Sequence, residues 1–161
     1  GGRVVTAAAH ALDANTQAVT ISLLQAAYSH NGLSGNFDGH GTSGFFRAIL
    51  SEHRASGPII ITHTKNDTAV GIAYPLASRI AQQVAAQLGD ENDPYGGMGR
   101  NGAQRTAEAN GNAGRLEAVG ADYRFSPGKV HNLLADDIIK DHSDVRGLEV
   151  AYAVLAAARA I

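Results

Sequence analysis

The 161-residue chain contains no cysteine, and this absence removes several kinds of chemistry at once. Disulfides, thiolate nucleophiles and thiolate metal sites are excluded, whereas the cellular compartment stays open. No apolar run approaches the roughly 18 residues that a membrane-spanning helix needs. With 13 lysines and arginines against 15 aspartates and glutamates, no excess of positive charge indicates a nucleic-acid partner. Because no leader peptide is visible either, a cytoplasmic location is the default expectation.

What the chain does contain is typical of a globular protein. Hydrophobic residues make up 44% and charged residues 17%, a balance that excludes a disordered or fibrous chain. We therefore expect residues 1–161 to form a single domain with one core. The stretch 90–116 is polar and rich in Gly and Asn, and it is predicted to be a long loop.

Segments with strand character alternate with segments of helix character along the chain. Three runs with abundant β-branched or apolar residues predict buried strands at 18–27, 58–63 and 129–135. Helices are predicted at 2–13, 44–54, 75–88 and 147–160. This alternation predicts a small parallel sheet between helices, a three-layer α/β/α arrangement. Residues 118–125 are predicted to add a short edge strand.

Polar side chains follow two of the predicted strands, where function collects in an open parallel sheet. Asp67 follows the strand at 58–63, and His142 follows the strand at 129–135. An aspartate beside a histidine fixes one imidazole tautomer and stabilises the imidazolium, so that the histidine serves as a general base for a hydroxyl nucleophile. Ser29 and Ser43 lie in the loop after the first strand and supply hydroxyl groups.

Simpler interpretations of the same residues remain open. Asp67 has the chemistry of a turn former, and His142 that of a surface residue, with Ser143 or Asp144 capping the last helix. His63, Asp67, His142 and Asp144 also have the side chains of metal ligands, but no short spacing between histidines supports a metal site. We expect neither a metal nor a cofactor.

Five segments in order carry a resemblance to a known family. They are GGRVVTAAAHAL, LLQAAYSH, GPIIITHTKNDTAVGIAYPLASRIA, YGGMGRNGAQ and HSDVRGLEVAYAVLAAA. Together they cover nearly the whole chain, which resembles the C-terminal half of an α/β-hydrolase of a bacterial esterase/lipase-like branch. The resemblance implies that Asp67 is the triad acid, that His142 is the triad histidine and that the substrate is a small-molecule carboxylic ester.

The nucleophile of that family departs from the pattern here. None of the nine serines lies in the G-x-S-x-G motif of the nucleophile elbow. The resemblance puts the motif's last glycine at Gly1, and the serine two residues before it. Within the chain, Ser29 and Ser43 are the candidates. The alternatives are a non-catalytic oligomeric remnant of α/β-hydrolase descent, and a small-molecule-binding or metal-dependent domain that shares only the sheet.

The first predicted strand also suggests a partner. The run 18–27 is apolar on both faces and has no Lys or Pro to protect an edge. The family's sheet continues beyond this strand, so the helix at 2–13 would expose Val4, Val5 and Leu12. We therefore expect a homo-oligomer, or a complex with an upstream fragment of the same fold.

Overall fold

A four-stranded parallel sheet organises the chain in a computed structural model that describes residues 1–14, 19–74 and 91–161. The strands are β1 (Ile21–Leu24), β2 (Ile59–His63), β3 (Ala113–Arg115) and β4 (Val130–Leu134). Their spatial order is β1-β2-β4-β3, and every neighbouring pair is parallel. The predicted small parallel α/β sheet is confirmed, including the pairing of the strands predicted at 58–63 and 129–135.

The helices are mostly shorter than predicted. The α-helices are α1 (Gly2–His10), α2 (Ala48–Ser51), α3 (Met98–Asn101) and α4 (Leu148–Ala158). A π-helical turn (Ala69–Ala73) and a 3-10 turn (Ala107–Ala109) complete the described helical segments. The helix predicted at 147–160 is confirmed as α4. The helix predicted at 75–88 lies outside the described residues.

Local contacts explain where the two shortened helices begin and end. Helix α1 ends at His10, whose carbonyl oxygen accepts a hydrogen bond from the Arg54 guanidinium. The helix predicted at 44–54 is wrong over most of its length, since only α2 is α-helical. At its start, Gly44 is pressed so closely against Asn31 that a Cβ would lie 2.1 Å from the Asn31 carbonyl oxygen. At its end, His53 adopts a left-handed φ of 52°, which a helix does not continue.

The stretch 90–116, predicted to be a long loop, contains three short elements in its described part: α3, the 3-10 turn and strand β3. The glycines of this stretch allow close packing: a Cβ on Gly99 would lie 2.6 Å from the Gln25 backbone carbon. The predicted edge strand at 118–125 is wrong. That segment folds on itself, with Glu117 N donating to the Tyr123 hydroxyl at 2.7 Å, and β3 takes the edge position.

Both faces of the sheet are buried, each against its own hydrophobic cluster. Ile59 and Ile61 of β2 pack with residues of α1, α2 and α3. The intervening Ile60 packs on the other face with residues of α4. Alternate side chains of a strand point to opposite faces, so the continuous apolar run in β2 reflects burial on both sides.

Strand β1 forms one end of the described sheet, as the sequence suggested. Helix α1 packs against it, and its Val4 is 72% exposed while Val5 is also exposed. Leu12, expected to be exposed as well, is half-buried. Whether a second chain covers this side stays a prediction. Across the three described ranges, no helix is both long and apolar enough to cross a membrane.

The central position of β2 predicts a strong dependence of stability on Ile61. The side chain is fully buried, so Ile61→Ala should lower the free energy of unfolding by about 2–5 kcal/mol. Val4→Ala is the control, because truncation of an exposed side chain should change the free energy of unfolding by less than about 0.5 kcal/mol. Urea unfolding followed by circular dichroism measures both, and equal effects of the two substitutions would contradict the assignment of the core.

Candidate functional site

A hydrogen bond joins the two residues that the sequence singled out. Asp67 Oδ2 lies 2.8 Å from His142 Nδ1 at the carboxyl edge of the sheet, so the expected proximity is confirmed. The Asp67 carboxylate is fully buried, whereas the His142 side chain is 44% exposed. With Nδ1 engaged by the carboxylate, Nε2 is the ring nitrogen left to meet a hydroxyl group.

Asp67 is fixed by the turn that follows β2. Its Oδ1 accepts a hydrogen bond from Val70 N at 2.9 Å, and its backbone oxygen accepts one from Gly71 N at 2.9 Å. The residue therefore stands at the start of the π-helical turn in the manner of a capping aspartate. This capping orients the carboxylate so that Oδ2 faces the imidazole. The turn-forming interpretation and the acid interpretation of Asp67 are thus compatible.

A second aspartate ties the loop after β2 to the loop after β4. Asp136 Oδ1 accepts hydrogen bonds from Thr64 Oγ1 and from Lys65 N, both at 2.9 Å. In return, Asn66 Nδ2 donates to the backbone oxygens of Asp136 (2.9 Å) and Ile139 (2.8 Å). Burial raises the pKa of Asp136. The hydrogen bonds from Lys65 N and Thr64 Oγ1, with the nearby charges of Lys65 and His63, outweigh burial and leave this pKa below its usual value. Together these hydrogen bonds form the Asp136 clamp, which holds the loop of Asp67 and the loop of His142 side by side.

The loop that carries His142 is closed by its own aspartates. Lys140 N donates to Asp144 Oδ2 at 2.9 Å, and Ser143 N donates to Asp141 Oδ1 at 2.7 Å. The alternative in which Ser143 or Asp144 caps the last helix is wrong, because α4 begins after Gly147 without a side-chain cap. Asp144 instead folds the loop back on itself and so sets the position of His142.

The buried amide of Gln25 is a part of the site that sequence reasoning missed. In the orientation that satisfies both ends of the amide, Nε2 donates to Asp67 Oδ2 at 2.9 Å and to Gly99 O at 2.7 Å. The side chain is only 2% exposed, and the residue has a left-handed φ of 47° at the end of β1. A polar residue inside the apolar run LLQAA was the available signal.

The structure does not bring either candidate serine to the imidazole as a hydrogen-bond partner within the described ranges. Ser29 is half-buried, and its Oγ accepts a hydrogen bond from Asn31 N at 3.2 Å. Its backbone forms an antiparallel bridge with Gly97. Ser43 is exposed, and its Oγ donates to Gly35 O at 3.0 Å. Of the two, only Ser29 borders a cavity.

That cavity, of about 470 Å³, lies beside the loop that follows β1, and half of its described lining residues are aromatic. A second cavity, of about 360 Å³, is bordered by His63, Lys65 and Arg100. Burial lowers the pKa of His63. Among the residues that the structure describes, no group of three histidine, aspartate or glutamate side chains is arranged to hold a metal ion.

Comparisons with protein-family models, with curated proteins and with solved structures found no match to this chain. The chemistry of the site must therefore be argued from its geometry. That geometry consists of an acid–imidazole pair and a set of hydrogen bonds that holds its two loops together, and the chain also has a cavity beside Ser29.

The clamp predicts an acid-sensitive stability. A carboxyl group whose folded pKa is depressed contributes stability that is present above its unfolded pKa and lost as the pH falls through its folded pKa. The Asp136→Asn variant should therefore be less stable than the unsubstituted chain near neutral pH, and it should lose less stability than that chain when the pH is lowered. Urea unfolding between about pH 3 and about pH 7 measures this. Glu117→Gln, at an exposed carboxylate, is the control, and an acid slope unchanged by Asp136→Asn would contradict the role of the clamp.

The contact of Gln25 with Asp67 predicts a second effect. Gln25→Met keeps the approximate volume but removes the donor to Asp67 Oδ2 and to Gly99 O. We expect the free energy of unfolding to fall by about 1–3 kcal/mol, because two buried acceptors lose a partner. Leu24→Met, at the preceding, half-buried position, is the control and should lower the free energy of unfolding by less than about 1.5 kcal/mol. Equal stability of Gln25→Met and the unsubstituted chain would show that the amide does not serve Asp67.

Proposed function

We propose that this chain carries the acid and the histidine of a serine-type carboxylic ester hydrolase. The observation that supports the proposal is the 2.8 Å hydrogen bond between the fully buried Asp67 and the half-exposed His142. A histidine that acts as a general base has a buried carboxylate at one ring nitrogen, and its other ring nitrogen is accessible. The location at the carboxyl edge of a parallel sheet agrees with this function.

The chemistry follows from that arrangement. His142 Nε2 takes the proton of a serine hydroxyl, and the oxygen attacks the ester carbonyl carbon to form a tetrahedral intermediate. The imidazolium, stabilised by Asp67, returns the proton to the leaving alcohol as the acyl–serine ester forms. Water then attacks the acyl group with the same base, so that the products are a carboxylic acid and an alcohol, and the serine is regenerated.

The wider architecture supports descent from an α/β-hydrolase. Hydrophobic clusters lie on both faces of the parallel sheet, and helices contribute to each of them. We propose that this is the three-layer arrangement of the C-terminal half of that fold. Asp67 after β2 and His142 after β4 then correspond in order to the acid and the histidine of the family.

Two sources of the nucleophile remain within the proposal. In the chain itself, Ser29 is better supported than Ser43, because its hydroxyl accepts a hydrogen bond and keeps its own proton for a base. The Ser43 hydroxyl already donates to Gly35 O. The resemblance supplies the other source, a serine two residues before Gly1. Such a serine would stand at the N-terminus of α1, where the helix dipole stabilises developing negative charge.

The alternative is a non-catalytic oligomeric remnant or binding domain of the same descent. It is favoured by the absence of a hydrogen bond between His142 and Ser29 or Ser43, residues that are all described in the structure. The exposed Val4 and Val5 on α1 are consistent with contact between chains. In this alternative the chain keeps the sheet and the cavity but does not hydrolyse esters.

Hydrolysis of p-nitrophenyl acetate and p-nitrophenyl butyrate distinguishes the two functions. If the chain is a hydrolase, His142→Ala should lower kcat by at least about 100-fold, since a general base contributes on that scale. His40→Ala is the matched control, because His40 is an exposed histidine away from Asp67. No turnover by the unsubstituted chain supports the remnant, and turnover unaffected by His142→Ala removes His142 from the mechanism.

Labelling with a serine-directed fluorophosphonate identifies the nucleophile. If Ser29 reacts, Ser29→Ala should abolish labelling while Ser43→Ala and Ser126→Ala leave it unchanged. Peptide mapping by mass spectrometry reads the modified residue directly. Turnover without a labelled serine would contradict the proposed mechanism.

A further inference from the structure

Aromatic side chains are concentrated around the cavity of about 470 Å³ beside Ser29. The chain has only five tyrosines and four phenylalanines, and six of these nine residues line it. They are Tyr28, Phe37, Phe45, Phe46, Tyr74 and Tyr95. A protein poor in aromatic residues that gathers most of them at one opening presents a surface suited to a flat, apolar ligand.

The aromatic rings are already arranged around the opening. Phe46 meets Tyr28 edge to face with ring centroids 5.4 Å apart, and it meets Phe45 in the same way at 5.0 Å. Phe45 also stacks on His10 at 5.7 Å, yet it is 78% exposed. Ring contacts hold this exposed side chain beside the cavity, where it can cover a bound ring.

The charge among the described residues that line the cavity has one sign. Arg3 is the single charged residue among the described lining residues, and no carboxylate accompanies it there. The Arg3 side chain forms no hydrogen bond or ion pair with another described residue. Burial raises the pKa of Tyr28 to about 12, against the weaker effect of a hydrogen bond with Thr6, so its hydroxyl stays neutral. Among the described lining residues, a bound carboxylate would therefore meet a cation and no negative charge.

We propose that this cavity binds small aromatic carboxylic acids and, when the chain acts as a hydrolase, the aromatic acyl group of its ester substrate. The substrate class rests on the proposed function, whereas binding of the acid does not. A volume of about 470 Å³ is within the range of roughly 300–1,000 Å³ of small-molecule sites. The carboxylate lies towards Arg3, and the ring packs among the phenylalanines beside Ser29.

Binding of 3-phenylpropanoate to the full chain tests the proposal by isothermal titration calorimetry and ligand-observed NMR. Two comparison compounds separate the contributions. 3-Cyclohexylpropanoate keeps the charge and lacks the aromatic ring, and 3-phenylpropan-1-ol keeps the ring and lacks the charge. We expect 3-phenylpropanoate to bind most tightly. Absence of binding, or equal binding of the cyclohexyl compound, would overturn the assignment of an aromatic site.

Two variants locate the site, and each has a matched control. Phe45→Ala should weaken 3-phenylpropanoate binding by about 3- to 10-fold, the scale of one aromatic contact. Leu148→Ala, at an apolar residue that is 75% exposed and does not line the cavity, should leave it unchanged. Arg3→Gln should remove the preference for the acid over the alcohol, whereas Arg124→Gln should not.

The outcome is independent of catalysis. Binding is measured without turnover and should persist in His142→Ala, so an inactive chain that binds the acid refutes only the hydrolase and not the site. Phe45→Ala could instead leave the binding of 3-phenylpropanoate intact and change the sedimentation coefficient. The aromatic face would then be a contact between copies of the chain, and the assignment of the ligand to this cavity would be refuted.

Discussion

A buried carboxylate imposes the strictest condition on this structure. Asp67 is fully shielded from solvent, and burial of an ionised group is costly unless hydrogen bonds replace the lost water. Its oxygens are met by Val70 N, by the Gln25 amide and by the imidazole of His142. These partners come from the turn after β2, from the end of β1 and from the loop after β4, so the fold must bring three separate segments to one point.

Small residues and one unusual backbone conformation make that convergence possible. Gln25 reaches Asp67 because its left-handed φ turns the chain at the end of β1. Gly99 then approaches the Gln25 backbone so closely that any side chain would collide with it, and its carbonyl oxygen takes the second proton of the amide. The high glycine content of 96–102 therefore serves close packing around the acid.

The burial of the strands and the parallel pairing of β2 with β4 were predictable, because both follow from short apolar runs and their alternation with helices. The run GPIIIT contains three consecutive isoleucines that begin β2, and parallel pairing follows from the alternation of strands with helices. The proximity of Asp67 and His142 followed from their places after neighbouring strands. By contrast, the short α2, the strand β3 and the contact of Gln25 depend on packing partners far away in the sequence. Gly44 against Asn31, and Gly99 against Gln25, leave no periodic pattern from which such contacts could be inferred.

The sheet and the hydrogen bonds of Asp136 fix the position of the acid–imidazole pair, and this bears on the nucleophile. Strands that are neighbours in the sheet hold Asp67 and the loop of His142, and the Asp136 clamp joins the two loops. A general base acts on a hydroxyl at about 2.6–3.2 Å. The Ser29 hydroxyl accepts a hydrogen bond from Asn31 N, the Ser29 backbone forms a bridge with Gly97, and no hydrogen bond joins Ser29 to His142 among the described residues. The half-exposed ring of His142 leaves Nε2 available to a hydroxyl carried by another segment. This is why we propose that the imidazole serves a serine outside the Ser29 loop, and that the cavity beside Ser29 holds the substrate.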